Sequence, residues 1–224
     1  MLPRVELDRL DLPDGGVLRL IQRGDEFSIM LGANELMNSR LSASEEALAT
    51  MSIERLGGVE TPRLLIGGLG MGFTLRAALA TLDKDARVTV AELLPTVVDW
   101  ARGPMAEMFG DCLDDPRVEL FVIDVDDLIQ DGAIRYDAIL LDVDNGPDAL
   151  TQEANSWLYS SGGLRAAFGS LYPGGVLAVW SVASDPTFPR RLRRAGFAVD
   201  EVRVRAHAGG RGAHHVIWFA KKPG

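Results

Sequence analysis

Three successive aliphatic segments of the sequence each end in an acidic residue, namely Glu92, Asp124 and Asp142. A carboxylate accepts hydrogen bonds from ribose hydroxyls or an adenine amino group, and it can take a proton from an amine. Ligands of open parallel sheets bind beyond the carboxyl ends of the strands, so acids at neighbouring strand ends indicate a nucleoside site. We expect Glu92 to bind ribose and Asp124 to bind adenine, with Leu93 and Val125 beside the nucleoside. For any one of these acids, capping of the following helix is an equal alternative.

A glycine-rich turn precedes the first of these acids. Glycine permits positive φ and lets a ligand approach the backbone, and a helix that follows such a turn directs free N–H groups at the ligand. Glu92 follows the turn at about the spacing that is typical of ribose recognition. Phe73 stands where the dinucleotide fingerprint has its third glycine, so the turn is closer to the adenosylmethionine class. The glycines expected to bind the nucleoside are Gly67, Gly68, Gly70 and Gly72.

Further polar residues follow Asp142 at once, namely Asp144, Asn145 and Asp148. A cluster of carboxylates attracts a cation, and like-charge repulsion raises the pKa of its members. An amine must lose a proton before it attacks an alkyl group, and a neighbouring carboxylate can orient the amine and accept that proton. We therefore expect Asp142, Asp144 and Asn145 to form the catalytic group. A polar surface loop is the alternative.

Strand-like and helical segments alternate from Pro62 onwards, which predicts a parallel sheet with helices on both faces. The last two strands are joined only by the glycine-rich segment 208–212, which is too short for a crossover helix and predicts an antiparallel hairpin. The fold class is therefore α/β, a Rossmann-like methyltransferase sheet of parallel strands closed by a C-terminal hairpin. Predicted strands are 63–67, 87–92, 118–123, 136–142, 175–181, 197–205 and 214–220, and predicted helices are 72–81, 95–109, 125–130, 163–172 and 187–195.

The first 58 residues differ in character from the rest. Segments 17–22, 26–31 and 35–38 predict a small antiparallel sheet, and a helix is expected from about 45 to 56. A sheet of this size is marginal alone and must pack on a larger body. We divide the chain into an N-terminal antiparallel β region plus helix, 1–58, and a nucleoside-binding domain, 59–224.

The composition narrows the range of partners. A net charge of −9 argues against nucleic acid or an anionic membrane and suits a small cationic substrate. The single cysteine, Cys112, excludes an intrachain disulfide, and the three histidines lack metal-ligand spacing, so we expect no metal. The absence of a membrane-length apolar run or a signal-peptide pattern leads us to expect a cytoplasmic protein.

Five segments of the chain follow one another as they do in spermidine synthases: Ile66-Gly-Gly-Leu-Gly-Met-Gly72, Val90-Ala-Glu92, Asp115-Pro-Arg-Val-Glu119, Tyr136-Asp-Ala-Ile-Leu-Leu-Asp142 and Tyr172-Pro-Gly-Gly-Val176. Over residues 62 to 182 the chain resembles these enzymes, which are polyamine aminopropyltransferases on the class I S-adenosylmethionine-dependent methyltransferase fold. The resemblance implies transfer of an aminopropyl group from decarboxylated S-adenosylmethionine to a diamine, with release of methylthioadenosine. It also implies that Asp142 is the catalytic acid, Glu92 the ribose ligand and Asp124 the adenine ligand, in a homodimer.

The chain departs from the family around the amine. Leu69 and Gly70 replace the acid of the family's glycine turn, and the family's Tyr-His pair becomes Ser44-Glu45. Glu46 matches the acid that follows this pair and is an expected substrate ligand. Two aromatic residues at the end of the segment 147–159, a predicted lid, are the other expected substrate contacts: Trp157 and Tyr159.

Three functions fit these observations. The favoured one is a spermidine-synthase-like transferase that acts on an amine acceptor. A methyltransferase that uses S-adenosylmethionine and yields S-adenosylhomocysteine would share the nucleoside pocket, although Ile66 stands where many such enzymes carry an acid. The substituted family acids also suit a protein that binds an adenosyl nucleoside or a polyamine without turnover, so whether the chain is an enzyme is left open here.

Overall fold

A computed structural model describes residues 2–13, 15–142, 157–207 and 213–224, which form two β-sheets and seven helices. The smaller sheet is antiparallel, with its four strands in chain order. Its strands are β1 (Val5–Asp11), β2 (Val17–Arg23), β3 (Glu26–Leu31) and β4 (Asn34–Asn38).

The larger sheet has the order β10-β11-β9-β8-β5-β6-β7. Strands β9, β8, β5, β6 and β7 are parallel neighbours, whereas β11 runs antiparallel to both β9 and β10. The predicted parallel sheet with an antiparallel C-terminal hairpin is thus confirmed. Its strands are β5 (Arg63–Gly67), β6 (Arg87–Glu92), β7 (Val118–Val122), β8 (Tyr136–Leu141), β9 (Leu171–Ser181), β10 (Ala198–Arg205) and β11 (His214–Lys221).

The helices are α1 (Ala43–Arg55), α2 (Phe73–Thr81), α3 (Pro95–Arg102), α4 (Ala106–Phe109), α5 (Val125–Asp131), α6 (Ser161–Ser170) and α7 (Phe188–Arg194). The single helix predicted over 95–109 is wrong, because the chain breaks between α3 and α4 at Gly103-Pro104. Proline lacks the N–H that a helix needs, and it disfavours helical geometry in the residue before it. Helix α6 begins earlier than predicted because the Ser160 side chain accepts the backbone N–H groups of Gly162 and Gly163.

Strand β1 was not predicted. All of its residues except Leu10 are exposed, and charged residues interrupt the alternation that marks a strand. A contact distant in sequence fixes it to the larger body: the Trp100 indole Nε1–H of α3 donates to Asp8 Oδ2 at 2.7 Å.

The N-terminal region packs on the larger sheet. Leu20 and Ile29 belong to the same hydrophobic cluster as Leu64 and Ile66 of β5, and all four are buried. Helix α1 contacts α2 and the strands from β8 to β11. Burial of each such side chain contributes about 1.5–3 kcal/mol, so this interface fixes the N-terminal sheet beside the strand ends. The division at residue 58 stays a prediction.

Among the described helices, none is both long enough and apolar enough to cross a membrane.

Candidate functional site

The glycine turn between β5 and α2 combines two uses of glycine. Gly68 and Gly70 have φ of +87° and +50° and line a cleft at the carboxyl end of the sheet. Gly72, at φ +72°, lies against the Phe109 ring, where an added Cβ would come within 2.4 Å of Cε1. A Cβ added at Gly67 would lie 3.0 Å from Leu141 Cδ2 and 3.1 Å from Val125 Cγ2. Two glycines therefore expose backbone to the cleft, and two allow the turn to pack on its neighbours.

Glu92 ends β6 with its carboxylate held by main-chain groups. Its Oε2 accepts the Leu69 N–H of the glycine turn, and its Oε1 accepts the Leu94 N–H, both at 2.9 Å. The side chain is 7% exposed, and it lines the cleft. Each carboxylate oxygen has a second lone pair, so a carboxylate fixed in this way can also accept hydrogen bonds from two vicinal hydroxyls.

Asp124 both caps a helix and lines the cleft. Its Oδ1 accepts the Asp126 N–H at 2.9 Å and so caps α5, while the residue also lines the cleft beside Val125. The helix-cap alternative therefore holds for Asp124 without removing it from the cleft.

Asp142 follows β8 on the other side of β5. Its backbone N–H donates to the Gly67 carbonyl at 3.0 Å, which continues the sheet pairing, and its Oδ2 accepts the Thr74 hydroxyl at 2.9 Å. Burial raises the pKa of the Asp142 carboxyl to about 6.

The three strand-end acids thus lie around a single cleft. Apolar side chains of the N-terminal sheet and the backbone of the glycine turn also line this cleft. The described lining consists of Leu18, Ile29, Leu36, Met37, Gly68, Gly70, Ala91, Glu92, Leu93, Leu94, Val97, Asp124, Val125 and Asp142. We name this the nucleoside cleft.

A second pocket adjoins the nucleoside cleft and shares Asp142 and Gly70 with it. It has a second carboxylate, Glu45, from the first turn of α1. Trp180 borders the pocket, and its indole Nε1 is buried without a hydrogen-bond partner. The described lining is Leu36, Met37, Glu45, Leu69, Gly70, Met71, Phe73, Asp142 and Trp180. We name this the acidic pocket.

Burial, followed by the charge of Asp142, raises the pKa of Glu45 to about 7. Two partly buried carboxyls that repel each other in this way favour binding of a proton or of a cation between them. Behind Glu45 lies a hydrogen-bonded chain: its Oε2 is 2.5 Å from Ser44 Oγ, which is 2.9 Å from His215 Nδ1 of β11. The His215 ring packs edge-on against Trp180, and burial lowers the pKa of its imidazole.

Every ionisable side chain in the described lining of the two pockets is a carboxylate. In the described part of the chain there is no group of three or more His, Cys, Asp or Glu residues placed to hold a metal ion. The site therefore offers acceptors of hydrogen bonds and protons, in surroundings that favour a cationic ligand.

Comparison with known proteins points to one group. No protein-family model matches the chain. The polyamine aminopropyltransferase of Corynebacterium efficiens is 33% identical over 171 residues, which cover 74% of this chain and 31% of that protein. The polyamine aminopropyltransferase of Sulfolobus acidocaldarius is 30% identical over 125 residues, 56% of this chain and 39% of that protein. The chain spans between 31% and 49% of the length of the curated relatives it matches.

Solved structures of spermidine synthases share the fold of this chain. A spermidine synthase from Thermotoga maritima superposes with a TM-score of 0.75 at 18% identity, covering 97% of this chain and 72% of that one. A spermidine synthase in complex with the transition state analogue AdoDATO gives a TM-score of 0.74 at the same identity and coverage. The chain is spermidine synthase-like in sequence and fold.

In this spermidine synthase-like chain, the three residues predicted to contact substrate are absent from the described linings of the two pockets. Glu46 is exposed on α1 and is absent from the described pocket linings. Tyr159 is 3% exposed and packs edge-on against Phe188, and Trp157 is half-buried beside Gly162. Asp144 and Asn145 lie outside the described residues, as does most of the predicted lid.

Glu45 is the site residue that sequence reasoning missed. It stands where the spermidine synthases have the histidine of their Tyr-His pair, and the first turn of α1 directs it inwards while its neighbour Glu46 faces solvent. Neighbouring helical positions differ in direction by about 100°, so only one of two adjacent acids can face the pocket. The departure from the family motif was the available signal.

Proposed function

We propose that this chain transfers an aminopropyl group from decarboxylated S-adenosylmethionine to a primary amine and releases methylthioadenosine. The observation that carries the proposal is the junction of two pockets at Asp142, with a nucleoside cleft on one side and the acidic pocket on the other. The similarity to polyamine aminopropyltransferases supports it, over less than half of their length.

Three features support the adenosyl half of the donor. Glu92, oriented by two backbone N–H groups, is suited to the ribose diol, and Asp124 and Val125 are suited to adenine. The similarity to a spermidine synthase that binds AdoDATO supports the same class of ligand.

The charge of the lining favours a decarboxylated donor. S-adenosylmethionine carries a carboxylate, which acids in a partly dry site repel. Decarboxylated S-adenosylmethionine carries only positive groups, a sulfonium and an ammonium. Because the described linings offer Glu45, Asp142 and Glu92 and no basic side chain, they suit the decarboxylated donor better.

The chemistry assigned to the acidic pocket is activation of the acceptor amine. Asp142, with Asp144 and Asn145 following it, accepts one proton from the acceptor ammonium. The freed nitrogen lone pair then forms a bond to the carbon beside the sulfonium, the carbon–sulfur bond breaks, and its electron pair stays on sulfur as neutral methylthioadenosine. The protein contributes mainly positioning and removal of the proton.

Thermal unfolding with three nucleosides and product analysis test this function. A ligand selective for the folded state raises the melting temperature by mass action. Decarboxylated S-adenosylmethionine and methylthioadenosine are expected to stabilise the protein more than S-adenosylhomocysteine does. Mass spectrometry after incubation with the decarboxylated donor and putrescine is expected to show an aminopropylated amine. A methylated product formed from S-adenosylmethionine, or donor binding without any product, would contradict the proposal and support one of the two alternatives.

The proposal also covers the cellular location and the oligomeric state of the protein. We propose a cytoplasmic homodimer whose substrate is a small cationic amine, and the exposed face of the N-terminal sheet is the surface we assign to the dimer contact.

A further inference from the structure

A chain of hydrogen bonds leads from the acidic pocket into the protein. Ser44 Oγ lies between Glu45 Oε2, at 2.5 Å, and His215 Nδ1, at 2.9 Å. Ser44 and Glu45 lie in the first turn of α1, whereas His215 lies in β11, so the fold brings together groups from two distant parts of the sequence. Ser44 is 0% exposed and His215 is 8% exposed.

A hydroxyl between a carboxyl and an imidazole can move a proton because it donates and accepts simultaneously. When Glu45 is ionised, Ser44 donates to the carboxylate and His215 Nδ1–H donates to Ser44. When Glu45 is protonated, it donates to Ser44, and Ser44 donates to an unprotonated Nδ1. The two arrangements differ by the transfer of one proton along the chain.

Aminopropyl transfer requires such a path. The incoming ammonium loses one proton in every cycle, and the carboxyl that receives it must be ionised again before the next amine is activated. Both carboxyls are only partly exposed, and a donor and an amine bound in the two pockets would restrict the access of water to them further. The proton acceptors nearest to the amine therefore need an internal route for its removal.

The Thr74 hydroxyl, which also links Asp142 to Glu45, cannot carry the proton out of the pocket. The Thr74 hydroxyl lies between Asp142 Oδ2, at 2.9 Å, and the Glu45 carbonyl oxygen, at 3.4 Å. A carbonyl oxygen accepts a hydrogen bond but does not carry a proton onward at neutral pH. Of these described contacts of Glu45 and Asp142, the path through Ser44 is the one that ends at a titratable group, His215.

We infer that the amine proton accepted at Asp142 is shared with Glu45, which lines the same acidic pocket, and that Ser44 and His215 relay it from Glu45 out of the pocket. The inference rests on the proposed aminopropyl transfer. Each step balances: the Glu45 O–H passes its proton to Ser44 Oγ as the Ser44 hydroxyl proton moves to His215 Nδ1. The ring is then an imidazolium, which releases its Nε2 proton to solvent, and the proton left on Nδ1 must move to Nε2 by exchange with solvent before the next cycle. Glu45 is a catalytic residue in this scheme, and Ser44 and His215 are positioning residues that act through it.

The electrostatic surroundings keep the proton on Glu45 for most of the time and make the His215 imidazolium a transient carrier. Asp142 and Glu46 are the acids whose charges act on Glu45, and both favour its protonated form. The Trp180 ring packs on His215, and burial is the cause of the lowered pKa of the imidazole. The imidazolium is thus short-lived.

Two substitutions interrupt the relay, and a third is a matched control. Ser44→Ala removes the bridging hydroxyl, and His215→Asn keeps a hydrogen-bonding group near the Nδ1 position but cannot carry a proton. His214→Asn changes the adjacent exposed histidine. We expect kcat with decarboxylated S-adenosylmethionine and putrescine to fall by about 10-fold or more in the first two variants, because proton transfer by a positioned group typically contributes about 10²–10⁴ in rate. We expect KM and methylthioadenosine affinity to be unchanged, and His214→Asn to match the wild type.

The outcomes separate the relay from the proposed function. Turnover by the wild type together with undiminished kcat in Ser44→Ala and His215→Asn overturns the relay and leaves the proposed function standing. Absence of turnover in the wild type with the donor bound overturns both. Should either variant lose methylthioadenosine binding through misfolding, ¹⁵N-histidine NMR of the wild type and of Glu45→Gln decides. The relay predicts that the His215 ring signals shift as Glu45 titrates and that this step disappears in Glu45→Gln, and an unaltered His215 titration overturns it.

Discussion

The nucleoside cleft and the acidic pocket are built in different ways, although they meet at Asp142. In the cleft, the main chain fixes the acids: backbone N–H groups of Leu69 and Leu94 orient Glu92, and that of Asp126 orients Asp124. In the acidic pocket, side chains from α1, α2 and β11 hold one another through Thr74, Ser44 and His215. The cleft follows the spermidine synthase pattern, and the pocket departs from it. The proposed donor site is therefore held mainly by main-chain groups, whereas the proposed acceptor site depends on side chains that a substitution can remove.

Replacement of Asp142 by Asn should give the largest effect, because it removes the proton acceptor at the junction while keeping an oxygen for the Thr74 hydroxyl. We expect turnover to fall by about 10³-fold, within the range for a general base, and methylthioadenosine affinity to change little. Steady-state kinetics and calorimetric titration measure the two quantities. Asp137→Asn, at the opposite end of β8, is the control. Retained turnover in Asp142→Asn would show that the base lies elsewhere.

Replacement of Glu92 by Ala should affect the cleft and not the pocket. Loss of two charge-assisted hydrogen bonds to ribose, each contributing about 1.5–3 kcal/mol, predicts a fall of about 100-fold or more in methylthioadenosine affinity. Glu119→Ala, an exposed acid on the adjacent strand β7, should bind normally. Equal affinities of the two variants in calorimetric titration would remove Glu92 from the ribose site.

Replacement of Glu45 by Gln tests the acidic pocket through the pH dependence of the free energy of unfolding. The folded-state pKa of Glu45 is raised from 4.5 to about 7, so the folded state binds more protons than the unfolded state across that window. The free energy of unfolding therefore falls as pH rises from about 4.5 to 7, by on the order of 2 kcal/mol from this group. Asp142, whose pKa is raised to about 6, acts in the same direction.

Urea unfolding between about pH 5 and pH 8 measures this dependence. We expect Glu45→Gln to flatten the fall in stability, and Glu46→Gln, which removes only the smallest of the charge effects on Glu45, to change it much less. An undiminished slope in Glu45→Gln would mean that Glu45 is ionised in the folded protein at low pH, against its burial.

Replacement of Gly72 by Ala should give the smallest effect on ligands, because Gly72 supports the glycine turn without lining the cleft. It adds both the strain of φ +72° and a Cβ at 2.4 Å from the Phe109 ring. Gly57→Ala is matched for strain, with φ +67° and no atom within 4 Å of the added Cβ. We expect Gly72→Ala to be less stable than Gly57→Ala by about 1–3 kcal/mol, the usual cost of overpacking, in thermal unfolding. Equal stabilities would show that Phe109 moves aside freely.

The local sequence pattern was sufficient to predict the larger sheet and the position of the cleft at its edge. Alternating strands and helices, and a loop too short for a crossover before β11, predict the parallel sheet and its antiparallel hairpin. Once the strands are parallel neighbours, Glu92, Asp124 and Asp142 must meet at one edge. Two errors were local: the Gly103-Pro104 break between α3 and α4 was readable and overlooked, and the Ser160 cap starts α6 early.

The remaining features depend on contacts between distant segments. Strand β1 has almost no buried face of its own, and the indole of Trp100 holds it through Asp8. Glu45 enters the site only because α1 packs across the larger sheet, and His215 meets Ser44 across 171 positions of sequence. No periodicity in a single sequence encodes such contacts. Glu46 was predicted in place of its neighbour because it matches the acid of the family motif.

A crystal structure with methylthioadenosine tests the central claim most directly, namely that acids on neighbouring strand ends hold one adenosyl group beside the acidic pocket. The account predicts ribose hydroxyls within hydrogen-bonding distance of Glu92, the adenine amino group at Asp124, and the methylthio group directed towards Gly70 and Asp142. Nucleoside bound at another place on the protein, or in the cleft without contact to Glu92 and Asp124, would contradict it.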